Sequence, residues 1–132
     1  TLFGARLDPA TGVWTFINAG HPPGYVLASD GRIKAEMMPG TPALGLDLDE
    51  TPLAPVRIAL EKGDLVLLLS DGIPEARSSA GEEFGEERVL AIVHRERARS
   101  AAEIIRILMD EARRFSDPDP LQDDMTVVVV KL

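Results

Sequence analysis

Asp64-Leu65-Val66-Leu67-Leu68-Leu69-Ser70-Asp71-Gly72 is an apolar run that stops abruptly at a carboxylate and a glycine. A short, continuously apolar segment predicts a buried strand, and a carboxylate at its tip is costly unless a cation or hydrogen-bond donors compensate it. The order is reversed near the C-terminus. In Leu121-Gln122-Asp123-Asp124-Met125-Thr126 a carboxylate pair leads into the apolar stretch Val127 to Val130. Two predicted strands thus present acids at their ends, about fifty residues apart. Hard oxygen donors of this kind suit a divalent cation.

Each acid also has a plainer reading. Asp71-Gly72 fits an ordinary turn after a strand, and Asp123-Asp124 fits a solvated loop beside Asp117 and Asp119. Their joint occurrence at the ends of apolar strands favours a site, because a metal centre draws its ligands from separate elements held rigidly together.

Composition narrows the classes. The chain has 132 residues, 45% of them hydrophobic, which suffices for a single domain with a modest core. Its net charge of -8 repels polyanions and no basic stripe is present, so nucleic acid is a disfavoured partner. The absence of cysteine excludes disulfides and thiolate metal sites. No apolar run reaches the roughly 20 residues that span a bilayer, and the N-terminus lacks the charged-then-apolar order of a signal peptide. The expectation is a soluble, cytoplasmic protein without a membrane segment. Because Thr1 opens directly into strand-like sequence with no initiating methionine, the chain is expected to be a piece of a longer protein.

Extended segments dominate the first half. Leu2 to Leu7 and Val13 to Ala19 flank Asp8-Pro9-Ala10-Thr11-Gly12 and predict a hairpin. Tyr25 to Ala28 and Ile33 to Met37 flank Ser29-Asp30-Gly31-Arg32 and predict a second. Pro39 to Pro55, broken by prolines and glycines and carrying Asp47, Asp49 and Glu50, reads as a surface loop. Val56 to Leu60 is strand-like. After Gly85 the period becomes helical, with Val89, Ile92 and Val93 on one face. Ser100 with Glu103 three residues on forms a capping-box pattern that starts a second helix, apolar along Ile104, Ile105, Leu108 and Ala112 and ended by Pro118 and Pro120. The sum is α+β: an antiparallel sheet system with helices on one face. Ile73 to Gly85 reads equally as a connecting loop or as a mobile flap next to Asp71.

Several chemistries are excluded or weakened. An EF-hand counted from Asp117 would need glycine at 122 and glutamate at 128, where the chain has Gln122 and Val128. His21 and His94 are not spaced as zinc ligands. There is no nucleophile elbow and no glycine-rich phosphate or dinucleotide loop. His94 lies on the first predicted helix with no evident role. His21 sits in Asn18-Ala19-Gly20-His21-Pro22-Pro23-Gly24, a compact turn able to hold polar groups at a sheet rim, where a histidine simply satisfied within the turn is an equal reading.

Taken together, Asn18-Ala-Gly-His-Pro-Pro23, Gly40-Thr-Pro-Ala-Leu-Gly-Leu46, Leu69-Ser-Asp-Gly-Ile-Pro-Glu-Ala-Arg77 and Gln122-Asp-Asp-Met-Thr-Val-Val128 resemble the metal-dependent PPM (type 2C-like) serine/threonine phosphatases, in the bacterial SpoIIE and RsbU branch. The resemblance covers nearly the whole chain. It implies an antiparallel β-sandwich flanked by helices, with a binuclear Mn2+ or Mg2+ centre at one end. By position Asp71 and Asp123 resemble metal-ligand aspartates, with Gly72, Asp124, Asn18 and His21 as supporting or auxiliary residues. In type 2C relatives an aspartate stands where this chain has His21, which weakens the case for a third metal.

The implied activity is hydrolysis of a phosphoserine or phosphothreonine protein by a metal-activated water, with no residue acting as a covalent nucleophile. The usual substrate in this branch is a phosphorylated anti-anti-sigma factor. Family members carry their first metal aspartates in a Gly-Asp hairpin upstream of the position of Thr1. Residues 1–132 are therefore expected to be the C-terminal part of such a domain, impaired in isolation and inclined to pair through uncovered sheet edges. A partner-binding pseudophosphatase is the alternative.

Overall fold

The computed structural model describes residues 1–46, 53–116 and 123–132. The acidic residues of the loop before Pro55 (Asp47, Asp49 and Glu50) and the Asp117-Pro118-Asp119 run lie outside the described residues. The chain folds into strands β1 (Leu2–Asp8), β2 (Val13–Ala19), β3 (Gly24–Leu27), β4 (Ile33–Met37), β5 (Val56–Ala59) and β6 (Leu65–Leu69), helices α1 (Glu86–Glu96) and α2 (Ala101–Ser116), and strand β7 (Val127–Lys131). Every pairing between these strands is antiparallel, in sheets ordered β1-β2-β5 and β4-β3-β6-β7.

Burial explains why β6 is apolar at every position. Val66 belongs to a core with Trp14, Phe16, Val26, Met37 and Leu60, between the two sheets. Leu65, Leu67 and Leu69 point the other way, into a core with Tyr25, Leu27 and the apolar faces of α1 and α2. A strand covered on both faces has no solvent side to mark with polar residues. The layers are therefore three-stranded sheet, four-stranded sheet, then helices. This is the antiparallel sandwich with helices on one face that the sequence predicts.

The helix boundaries follow the expected chemistry. Ser100 and Glu103 close the capping box: the Ser100 amide donates to Glu103 Oε2 at 3.0 Å, and the Glu103 amide donates to Ser100 Oγ at 3.3 Å. The Ser100 hydroxyl holds the Glu103 carboxyl below its ordinary value. His94, without an assignable role in the sequence, approaches the β3–β4 turn, its Nδ1 3.1 Å from the Gly31 carbonyl oxygen.

Among the described residues the buried carboxylate is Asp64, not Asp71. Asp64 is 1% exposed at the start of β6 and accepts from Lys34 Nζ at 2.7 Å and from the Glu61 amide at 2.9 Å, both on Oδ2. It ties the edge strand β4 to the turn that launches β6. Each of the four edge strands leaves one large apolar side chain exposed: Leu2 on β1, Ile33 on β4, Val56 on β5 and Val128 on β7.

Candidate functional site

The C-terminal end of β6 meets the entry to β7. Their pairing in register, Leu69 opposite Val127, brings residues 70–72 beside residues 123–126. Ser70 fastens the junction. Its hydroxyl donates to the Asp124 carbonyl at 2.9 Å and accepts from the Thr126 amide at 2.9 Å, and its own amide donates to the Thr126 carbonyl at 3.0 Å. Gly72 is buried against the same turn, where a Cβ would stand 2.5 Å from the Asp124 carbonyl oxygen. The glycine is required by close backbone approach and not by positive φ.

Asp71 and Asp123 emerge from this junction into solvent. Both are exposed, as is Asp124, so the expectation that Asp71 is a costly buried carboxylate is corrected. The strand's last fully buried position is Leu69, and the backbone has left the sheet before the acid is reached. Asp71 is nevertheless positioned, because its carbonyl accepts from the Glu75 amide at 2.9 Å and closes a helix-like turn. Asp123 Oδ1 accepts from the Asp124 amide at 2.7 Å.

Two recesses open at this end. One, of about 520 Å³, is lined by Asp71, Glu75, His21, Ser70 and Thr1 among others. The second, of about 230 Å³, is lined by Gly72, Glu75, Ala76, Arg77 and Asp123. Glu75 faces both and so stands between the two predicted acids, a position that sequence reasoning missed. The signal was its place four residues after Asp71, one helical turn on. Ser70 was missed as well, since nothing in a serine's sequence position reveals which distant turn it fastens.

Asn18 and His21 belong to this rim in different ways. Asn18 is buried, donating from Nδ2 to the Met37 carbonyl at 3.0 Å and accepting at Oδ1 from the His21 amide at 3.0 Å. It builds the turn and does not face the recess. Gly20, at φ 65°, donates to the Thr41 carbonyl at 2.9 Å, and the Gly40 amide donates to the Asn18 carbonyl at 2.9 Å, so the Gly40-Thr41-Pro42 segment buttresses the same turn. The His21 ring projects into the larger recess and lies edge-on to Phe3, with centroids 6.1 Å apart.

The segment from Ile73 to Gly85 is a pinned connector and not a free flap. Ile73, Ala76 and Phe84 are buried in the helix-side core, and Phe84 donates its amide to the Ala76 carbonyl at 2.7 Å. Its exposed positions are Glu75, Arg77 and the run from Ser79 to Glu83.

The donors at this end are carboxylate oxygens on two adjoining strand ends, which fits a hard divalent cation in ligand type. Among the described residues, however, no group of three or more His, Cys, Asp or Glu side chains is disposed to hold a metal ion. Gly72→Ala is expected to push the two strand ends apart, costing about 1–3 kcal/mol of stability from overpacking. Denaturant unfolding of the variant beside wild type checks this.

A helix-covered double sheet carries these carboxylates where the end of β6 meets the start of the edge strand β7. The sequence matches the Stage II sporulation protein E (SpoIIE) family over residues 1–132, and the chain belongs to that family. It is 29% identical over 130 residues to Protein IcfG of Synechocystis sp. (strain ATCC 27184 / PCC 6803 / Kazusa), covering 98% of this chain and 20% of that protein. It is 28% identical over 132 residues to Phosphoserine phosphatase RsbU of Bacillus subtilis (strain 168), covering 99% of this chain and 38% of that protein. The phosphatase domain of the cell fate determinant SpoIIE from Bacillus subtilis, presoaked with Mn, superposes with a TM-score of 0.71 at 24% identity, covering 100% of this chain and 56% of that one. The chain thus spans well under half of these curated relatives' length. Among the described residues no helix is long and apolar enough to cross a membrane.

Proposed function

We propose that residues 1–132 are the C-terminal part of a SpoIIE-type phosphatase domain, whose parent protein removes phosphate from a phosphoserine or phosphothreonine protein. The observation that carries this reading is the stapled junction of β6 and β7, which holds Asp71 and Asp123 on one rigid edge within a chain of this family. Asp71 and Asp123 would each present a carboxylate to Mn2+ or Mg2+, together with ligands from outside the described residues. Held there, such ions would lower the pKa of a water and neutralise phosphoryl charge. Gly72 and Ser70 fix the spacing of the carboxylates, Asn18 holds the turn that presents His21, and Asp124 shapes the tip through its carbonyl. No covalent intermediate is required, in keeping with the absence of cysteine.

The substrate expected for this branch is a small phosphorylated anti-anti-sigma factor, and the location expected is the cytoplasm. The exposed apolar residues on every edge strand also favour pairing of two copies through a sheet edge. The test is phosphate release from a phosphoserine protein by the full-length protein with Mn2+ or Mg2+, repeated with chelator. Release that needs the metal is the expected result. Metal-insensitive release sinks the proposal, and metal uptake without release moves the protein to the pseudophosphatase reading.

A further inference from the structure

The Glu75-Ala76-Arg77 segment has no role in the reading above. We propose that Arg77 is the residue that grips the phosphoryl group of the substrate, an inference that rests on the phosphatase reading. Arg77 lines the 230 Å³ recess together with Asp123, Gly72 and Glu75. That space is several times the roughly 30 Å³ share of a water molecule.

Charge makes the case. A phosphomonoester entering this end of the molecule meets the carboxylates of Asp71, Glu75 and Asp123, all of its own sign. Among the described residues that line the two recesses, Arg77 is the one lysine or arginine. A planar guanidinium offers a fork of donors that matches two phosphoryl oxygens at once, which a lysine ammonium does not.

Its placement is firm at the backbone and adaptable at the head group. The preceding residue, Ala76, is buried in the core and donates its amide to the Ile73 carbonyl at 3.2 Å. Arg77 itself bridges in antiparallel fashion to Glu83. Among the described residues the guanidinium's hydrogen-bond partner is Glu83 Oε1, 2.9 Å from Nη2. Both side chains are 51% exposed, so water screens the pair and it gives way readily to a more highly charged ligand. Glu83 then serves as the resting partner of a group whose working partner is phosphate.

The test uses the full-length protein, with inorganic phosphate as the probe and Arg77→Ala, Arg77→Lys and Glu83→Gln as variants. Calorimetry in the presence of Mn2+ is expected to show phosphate affinity lowered about 10- to 100-fold in Arg77→Ala, as for loss of a charge-assisted contact. KM should rise by a similar factor, with partial recovery in Arg77→Lys and Mn2+ affinity within about twofold of wild type throughout. Glu83→Gln should bind phosphate at least as well as wild type. Unchanged phosphate affinity in Arg77→Ala, or a Glu83→Gln variant that reproduces its loss, makes Arg77 a loop tether and overturns the inference while leaving the phosphatase reading intact. A wild-type protein that binds neither Mn2+ nor phosphate overturns both.

Discussion

Asp71→Ala and Asp123→Ala are each expected to lower metal-dependent phosphate release by the full-length protein more than about 100-fold, beyond the 10- to 100-fold typical of residues that only support a metal ligand. On the proposed reading both carboxylates serve one centre, so the double variant should be scarcely worse than either single one. Stability should hardly move, because both side chains are exposed and the junction is held by Ser70 and Gly72 instead. Turnover assays and calorimetric Mn2+ titration of the three variants decide the matter. Wild-type turnover in both single variants leaves the proposed centre without ligands.

Lys34→Ala carries the largest expected loss of stability. It strands the Asp64 carboxylate, 1% exposed, with the Glu61 amide still donating to it but no counter-charge. Breaking a buried pair from one side costs about 3–5 kcal/mol, and the 23% exposure of the Lys34 side chain puts the expectation at the lower end, about 3 kcal/mol. Lys34→Met combined with Asp64→Leu should recover most of this, since apolar residues of similar volume replace a buried pair with little loss.

The pH dependence has a definite sign. The hydrogen bond from Lys34 to Asp64 raises the ammonium above its ordinary value of 10.5, against the opposing effect of burial. Its contribution is complete below pH 10.5 and disappears as the pH climbs through the folded-state value. The gap between wild type and Lys34→Ala, read from denaturant midpoints, should therefore persist through neutral and mildly alkaline solution and narrow only above that.

The contrast between Asp64 and Asp71 shows where sequence reading succeeds and fails. The two acids bracket one apolar run and are indistinguishable in sequence, each adjoining a glycine and a strand. One is buried because β4 delivers a lysine and a turn delivers an amide. The other is exposed because the chain leaves the sheet after Leu69. Burial is a property of what packs against a residue, and a strand's own letters do not contain its neighbours. The same holds for Ile73 to Gly85. Ile73, Ala76 and Phe84 lie in a segment broken by Pro74, Gly81 and Gly85, so no continuous pattern marks them as anchors, yet each is buried in the helix-side core.

Local interactions, by contrast, were legible. Asp30-Gly31 encodes its turn through backbone torsions, Ser100 and Glu103 encode a helix start within one turn, and the periodicity of Val89, Ile92 and Val93 encodes the face they bury. These determinants lie within a few residues of the element they specify, so the sequence by itself determined the order of strands and helices, the α+β class and the two acidic strand ends. Tertiary structure alone decided that β6 and β7 are neighbours, that Ser70 fastens their tips, that Glu75 stands between two recesses, and that Asn18 builds a turn while His21 faces a cavity. Those facts depend on contacts between residues nineteen to fifty-six positions apart in the chain, which only the closing of the two sheets and the packing of the helices on one of them can bring together.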